Sequence, residues 1–285
     1  MNQAHVLYLE FGPQHRWQIE KHLIPLLNRL FPGAKFQITI IDNSGEAAPC
    51  DLPNTAVIAG DNSTREFSGW QKGIDFLSDK AINHNTIFCL CNDTFARHYG
   101  TKFLDWFDQK EVQEALNRGL AVGHVDHTRE EFELFGWKTR KWIRTNIFFL
   151  RYAELKKILP IVFPIDEKEI FADEGDSLFK ENRLLSPNLR AYLDHWLVMG
   201  PEVPGESKER WYMSARLSNE NREIYVMKAK SLLIEFSISA RLLKEGIEIF
   251  DIRRSRSRAG GLYYFASKLG ILDHLQNLRR SFLSG

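Results

Sequence analysis

Residues 86–95, TIFCLCNDTF, decide how the rest of the chain is read. A short apolar run stops abruptly in Asn92-Asp93-Thr94. Its length and polar borders suit a fully buried strand better than a helix. In open α/β sheets, ligands bind outside the carboxyl ends of the strands. Carboxylate and carbonyl oxygens are also what hard cations select. Asp93 is therefore expected at the centre of a nucleotide-diphosphate site. The competing reading is plainer: Asn, Asp and Thr are all good helix-capping and turn residues.

The flanking sequence repeats the pattern. Residues 4–10 (AHVLYLE) read as a first strand, broken by Gly12-Pro13, and residues 14–30 as an amphipathic helix. Residues 35–41 (KFQITII) form a second strand ending in Asp42-Asn43-Ser44-Gly45, and residues 55–59 (TAVIA) a third ending in Gly60-Asp61-Asn62. A helix follows over 66–80. Strands alternating with helices imply crossover connections and a mostly parallel sheet. In such a sheet the endings Asp42-Asn43, Asp61-Asn62 and Asn92-Asp93 share one edge, which points to a polar ligand site rather than to separate turns.

Further on, a helix is expected over 102–118, strands over 121–125 and 142–151 (WIRTNIFFLR), and a short helix over 153–159 before Pro160. Residues 166–176 (DEKEIFADEGD) form an acidic loop or helix start. Ser186-Pro187 opens another helix, and 201–205 is a linker. A long helix runs over 224–245 to Gly246, a normal helix stop, and a closing strand covers 247–252.

With 285 residues, 44% hydrophobic and 26% charged, the composition is that of a globular protein. The length suits one large domain over 1–252 with an appendage over 253–285. A net charge of +1 gives no field that would draw nucleic acid. Charge is concentrated locally: Arg253, Arg254, Arg256, Arg258, Lys268, Arg279 and Arg280 follow or face only Asp251 and Asp273. Interleaved with Leu262, Tyr263, Tyr264 and Phe265, they have the composition of an interfacial element on an anionic membrane. The alternative is a helix packed on its own domain or on a second subunit. Cys50, Cys89 and Cys91 have no framework spacing and suit reduced thiols in the cytoplasm. No signal peptide and no apolar run of about 18 residues is seen. The expected location is cytoplasmic, at the inner membrane face if the basic segment binds there.

The order of these motifs resembles the GT-A fold of the large inverting nucleotide-sugar glycosyltransferase family. That family has a strand ending in Asp-Asn-Ser, as in Ile40-Ile41-Asp42-Asn43-Ser44. A strand leading to Asn follows, as in Gly60-Asp61-Asn62, then a Gly-containing helix, as in residues 66–75, and a strand with an acidic end, as in Cys91-Asn92-Asp93-Thr94. The Asn-Asp-Thr variant, with Arg144-Thr145-Asn146-Ile147-Phe148-Phe149 downstream, is most similar to enzymes building rhamnan-type and other bacterial surface polysaccharides. The resemblance spans about residues 4–250. The family also carries a late Glu-Asp motif whose catalytic Asp precedes an Arg and a Gly at fixed distances. Glu235 stands six positions before Arg241 and eleven before Gly246. Here Glu replaces Asp, and Ile234 replaces the preceding Glu.

The resemblance implies an α/β, mostly parallel sheet flanked by helices. It also implies transfer of a sugar, with inversion, from a nucleotide-sugar donor to a hydroxyl of a saccharide or lipid-linked acceptor, in O-antigen or capsule-type synthesis. A base takes the hydroxyl proton as the diphosphate leaves. Glu235 is the expected base, its pKa raised at a helix start beneath Leu232-Leu233-Ile234; the alternative is a first-turn acid favoured by the helix dipole. Asp173, Glu174 and Asp176 are the runners-up. The nucleotide-sugar site is expected to comprise Asp42, Asn43, Asp61, Asn62, Arg65, Asn92 and Asp93. Asp42 would meet the base or ribose, and Arg65 would either neutralise a phosphate or cap a turn. The family's first motif carboxylate is replaced by Cys91, so Mg²⁺ or Mn²⁺ at Asp93 is shared with the diphosphate or dispensed with. His124 and His127, three apart on a strand-to-loop segment, read as a metal pair, or as acceptor-side or plain structural polar residues. The alternative of another class is a catalytically silent nucleotide- or glycan-binding scaffold in a polysaccharide-assembly complex. A nucleotidyltransferase would need a glycine-rich phosphate loop that the chain does not open with.

Overall fold

Residues 87–92 form the central strand of the sheet, and all six are buried. A strand covered on both faces must be apolar almost throughout, which is why its apolar run was legible. The computed structural model describes residues 3–78, 81–96, 100–198 and 216–254. The expected linker at 201–205 and the basic segment beyond Arg254 lie outside the described residues.

Parallel strands β1 (Gln3–Glu10), β2 (Lys35–Asp42), β3 (Thr55–Ala59) and β4 (Ile87–Asn92) make one half of the sheet. The long strands β5 (Ala121–Leu134) and β6 (Trp137–Arg151) form an antiparallel hairpin, with β7 (Ile249–Asp251) parallel beside β5. The order is β3-β2-β1-β4-β6-β5-β7, with β4 and β6 antiparallel. The expected class therefore holds: α/β, mostly parallel, flanked by helices.

Side chains alternate across the sheet. Val6, Tyr8, Cys89 and Cys91 pack against α1 (Ile24–Leu30) and α3 (Gln109–Asn117). Leu7, Leu9 and Leu90 pack against α2 (Glu66–Leu77) and the carboxyl half of the long helix that precedes β7. A third cluster joins Phe132, Leu134 and Trp142 of the hairpin to Leu189, Leu193 and Leu197. After β6 come α4 (Tyr152–Lys157), α5 (Glu167–Ile170) and α6 (Pro187–Leu197), then the long α7 (Arg222–Lys244). The amino half of α7 contributes Tyr225, Ala229 and Leu233 to the third cluster. Among the described residues, no helix is long and apolar enough to cross a membrane.

Three differences from the sequence reading have physical causes. The helix over 14–30 is split into a 3-10 turn (Pro13–His15), a π turn (Ile19–Leu23) and α1. Pro25 has no N–H to give the turn before it, and the Ile24 amide reaches back five residues to the Ile19 carbonyl. The helix over 102–118 is a 3-10 turn (Lys102–Trp106) and then α3. Asp108 restarts it by accepting the Glu111 amide at 2.9 Å. The segments 121–125 and 142–151 are the inner halves of one hairpin, closed by Phe135 and Gly136 at φ 52° and 77°, the two left-handed positions of a tight hairpin turn. Within it the register jumps from Gly123↔Phe148 to Val125↔Ile143. One residue of β5, His124, thus faces four of β6, Arg144-Thr145-Asn146-Ile147. Such bulges re-aim side chains and are frequent beside functional sites.

Candidate active site

β1 to β4 are parallel, so their carboxyl ends share one edge. Glu10 and Asp42 are paired in register there, and Leu9 pairs with Asn92. The loop leaving β1 is strapped to two acids. Asp42 Oδ1 accepts the Gly12 and Ser44 amides, both at 2.9 Å. Burial pushes the Asp42 carboxyl up, but these donors outweigh it and hold it below the usual range. Asp93 Oδ2 accepts the Phe11 amide at 3.3 Å, and the Asp93 carbonyl accepts Gln18 Nε2 at 3.0 Å. Glu10, which the sequence reading did not single out, is buried and held by Arg16 Nε at 2.9 Å. Burial raises its pKa, and Arg16 opposes the rise. The signal for it was present: an acid closing an apolar strand, with a basic residue six positions on.

Asn43 works inside the fold. Its Nδ2 donates to the Arg65 carbonyl at 2.9 Å and to Asn62 Oδ1 at 3.3 Å. It thereby braces a loop in which Asn62 and Arg65 both have left-handed φ, 53° and 54°. Arg65 pairs this with ψ −130°, a region that non-glycine residues rarely occupy and that costs about 1–3 kcal/mol. Gly60 is needed because a Cβ there would lie 2.0 Å from Asn43 Oδ1. Gly60→Ala is therefore expected to cost roughly 1–3 kcal/mol, read as a lowered melting temperature; an unchanged melting temperature would remove Asn43 as the brace. Asp61 is engaged locally. Its Oδ1 accepts the Ser63 amide at 3.0 Å and the Ser63 hydroxyl at 2.9 Å, and Lys72 lies 3.3 Å from Oδ2. The Ser63 amide is the main reason its pKa falls to about 2.

Asn92 does two things. Its Oδ1 accepts the Thr94 amide at 3.1 Å, which is the turn-capping reading of the sequence. Its Nδ2 also donates to the Thr145 carbonyl at 3.3 Å, tying the tip of β4 to the bulge in β6. From there Thr145 reaches two carboxylates. Its amide donates to Glu235 Oε1 at 3.1 Å, and its hydroxyl lies 3.3 Å from both Glu235 Oε1 and Glu66 Oε1. One hydroxyl proton serves only one acceptor at a time, so the two acids meet across it. Burial first, and Glu66 second, raise the Glu235 pKa to about 7, against Lys228 and the Thr145 amide. Glu235 lies in the middle of α7, thirteen residues from its start at Arg222, not at a helix start. The helix dipole thus plays no part, because its influence fades within the first turn. Glu66, the partner that acts on Glu235, was not singled out as a site residue; it comes from α2, far away in sequence.

Glu235 opens on a cavity of about 230 Å³ lined also by Asp126, Trp142, Arg144, Tyr192, Trp196 and Lys228. Arg144 forks onto Asp126, with Nε at 2.7 Å and Nη2 at 3.0 Å. Asp173, Glu174 and Asp176 are exposed and do not line this cavity, and Asp173 pairs with Lys180 at 3.1 Å. His124 and His127 both lie on β5, not on a strand-to-loop segment. Burial, then Arg144, pushes the His124 pKa down to about 3. His127 Nε2 lies 3.6 Å from Asp251 Oδ2. Among the described residues, no three His, Cys, Asp or Glu side chains gather as a metal-holding group. Asp93 alone does not make a protein-held metal site, and no chemical step below is routed through a metal.

No family model matches the chain, and no curated protein sequence matches it. Among solved structures, the mannosyltransferase PcManGT from Pyrobaculum calidifontis, in complex with GDP-Man and Mn²⁺, is similar over 99% of this chain and 85% of its own. The TM-score is 0.36 and the identity 10%. The fold class stands on the sheet order and strand directions, not on that likeness.

Proposed function

We propose that the chain is a glycosyltransferase that moves a sugar from a nucleotide-sugar donor to a saccharide hydroxyl, with inversion. One observation carries this reading. Glu235, its pKa raised to about 7, lines a partly aromatic cavity and is joined through Thr145 and Asn92 to the strand edge where Asp42 and Asp93 lie. A general base works best with a pKa near the working pH.

In the proposed reaction the acceptor hydroxyl oxygen attacks the anomeric carbon. The bond from that carbon to the diphosphate breaks, and its electron pair leaves with the diphosphate oxygen. The hydroxyl proton passes to Glu235. A single displacement inverts the anomeric centre. Asp42, Asn43, Asp61, Asn62, Arg65, Asn92 and Asp93 form the donor side: Asp42 and Asp93 fix the loop after β1, Asn43 fixes the loop around Arg65, and Asn92 links donor edge to base. In the family's terms this is surface-polysaccharide synthesis.

A second reading, a silent nucleotide- or glycan-binding scaffold, is favoured by the lack of a metal-holding acid cluster among the described residues. A thermal-shift screen of sugar nucleotides, with and without Mn²⁺, followed by assay of nucleoside diphosphate release, separates the two. A donor at a hundred times its Kd stabilises the fold by about 2.7 kcal/mol. Stabilisation with release is the expected result. Stabilisation without release would leave the scaffold, and no stabilisation by any sugar nucleotide would remove the transferase and the nucleotide-binding scaffold.

A further inference from the structure

We infer that the cavity beside Glu235 is an acceptor subsite for a negatively charged saccharide, and that Lys228 reads the charge. The inference rests on the glycosyltransferase reading and adds the chemical class of the acceptor.

The cavity is built by four elements. On α7, residues 228, 232, 235 and 236 share one face, since residues three or four apart are neighbours on a helix. On β6, Trp142 and Arg144 are two apart and leave the same side of the strand. Asp126 is the cross-strand partner of Trp142. Tyr192, Leu193 and Trp196 close the space from α6. The aromatic wall is interlocked: Trp142 and Phe236 have ring centroids 4.4 Å apart, and Tyr192 lies 6.0 Å from Trp142. Rigid aromatic faces beside a few placed polar groups are the usual make-up of a small-molecule site. A pyranose, with apolar C–H faces and a polar rim, matches that make-up.

The charges narrow the class. Arg144 is matched by Asp126 through two hydrogen bonds and brings no surplus. Lys228 does. Its ammonium stands 6.0 Å from the Trp196 ring centroid and, among the described residues, makes no ion pair; Glu235, whose pKa it lowers, acts on it only from two turns along the helix. A neutral sugar filling the cavity would strip water from this cation and return no charge, which costs free energy. A carboxylate or phosphate on the sugar returns it, and hydrogen bonds to charged groups are worth more than neutral ones. Lys228 and Glu235 are seven positions apart, about 10 Å along the helix. The anionic group therefore sits beyond the ring that supplies the reacting hydroxyl, on the neighbouring sugar.

The test uses the full chain and three probes followed by ligand-observed NMR titration: methyl glucoside, methyl glucuronide and methyl glucoside 6-phosphate. The expected result is that at least one anionic probe binds about tenfold tighter than the neutral one. Lys228→Met, which keeps the aliphatic stem, should erase that preference, and Lys228→Glu should reverse it. The anion that gains more names the source of the charge. Equal binding of all three probes, or a preference that survives Lys228→Met, would overturn the inference. Donor binding is read separately. A chain that binds no sugar nucleotide but keeps the anion preference loses the transferase reading and keeps the subsite; the converse loses the subsite alone.

Discussion

Glu235→Gln is expected to lower sugar transfer by about 10²–10⁴-fold, the usual worth of a positioned base. The amide keeps an oxygen for the Thr145 N–H and nearly the same volume, so the cavity should survive. What is lost is a group that can take the hydroxyl proton. Wild-type kcat/KM should rise with pH and level off above about 7, because only the ionised carboxylate is a base. The variant should lack that acidic limb. Turnover unaffected by the change would remove Glu235 as the base.

The same variant should be more stable than wild type by an amount that grows with pH. The folded-state pKa of Glu235, about 7, lies above its ordinary 4.5. The folded protein thus holds the proton more tightly than the unfolded chain. Its contribution to stability is full below pH 4.5 and is lost as pH rises through about 7. The glutamine side chain does not titrate in this range, so the variant escapes that loss. Melting curves of the two proteins should nearly coincide at about pH 4 and separate by about pH 8, with the variant melting higher. A wild type that melts higher on the alkaline side would contradict the raised pKa, whatever the activity.

Arg253→Met is expected to be the most damaging single change to the fold. Arg253 is 1% exposed and Asp251 2%. Arg253 donates to Asp251 from Nη2 at 2.9 Å and from Nε at 3.1 Å, and a further N–H bonds to the Val125 carbonyl. Removing one member of a buried pair strands the other, at about 3–5 kcal/mol. In a chain of this size that is roughly a 10 °C fall in melting temperature. In wild type, burial pushes Asp251 up, but His127 and Arg253 outweigh it and hold its pKa below the ordinary 3.8. The pair therefore stabilises the fold above pH 3.8 and fails as pH falls through the lowered value. In the variant Asp251 keeps His127 and the residue 253 amide but loses its buried guanidinium, so the deficit should be largest near neutrality and shrink on acidification. Adding Asp251→Asn should recover part of the loss, because the orphan charge is gone. A melting temperature within a degree or two of wild type would show that the buried pair is not what holds β7 to β5.

The parallel half of the sheet was legible because its strands are short, apolar and stopped by turn residues. The outer hairpin was not. Residues 126–134, DHTREEFEL, carry charges on a one-sided strand whose buried side chains are few, so no apolar run marks it. Pro25 was the overlooked signal within the first helix. The shared edge of Asp42, Asp61 and Asn92 could be read from strand order. That the Asn43 amide nitrogen is spent on the loop around Arg65, and Asp61 on Ser63 and Lys72, could not, because it depends on the left-handed turns at Asn62 and Arg65. Glu235 was found through its distances to Arg241 and Gly246. The causes of its raised pKa, burial and Glu66 on α2, come from packing against other elements, and only the folded chain brings them to it.

The inner part of the hairpin, as far as Val125 and Ile143 just past the four-against-one step, belongs to the cores under the parallel strands, and its outer half, with Phe132, Leu134 and Trp142, to the cluster beneath the cavity. Substitutions, and even length changes, in the outer half can be absorbed at the step without shifting the register of β4 against β6. Over evolutionary time such a chain can diversify the lining of its cavity while inheriting the carboxyl edge of its parallel strands unchanged.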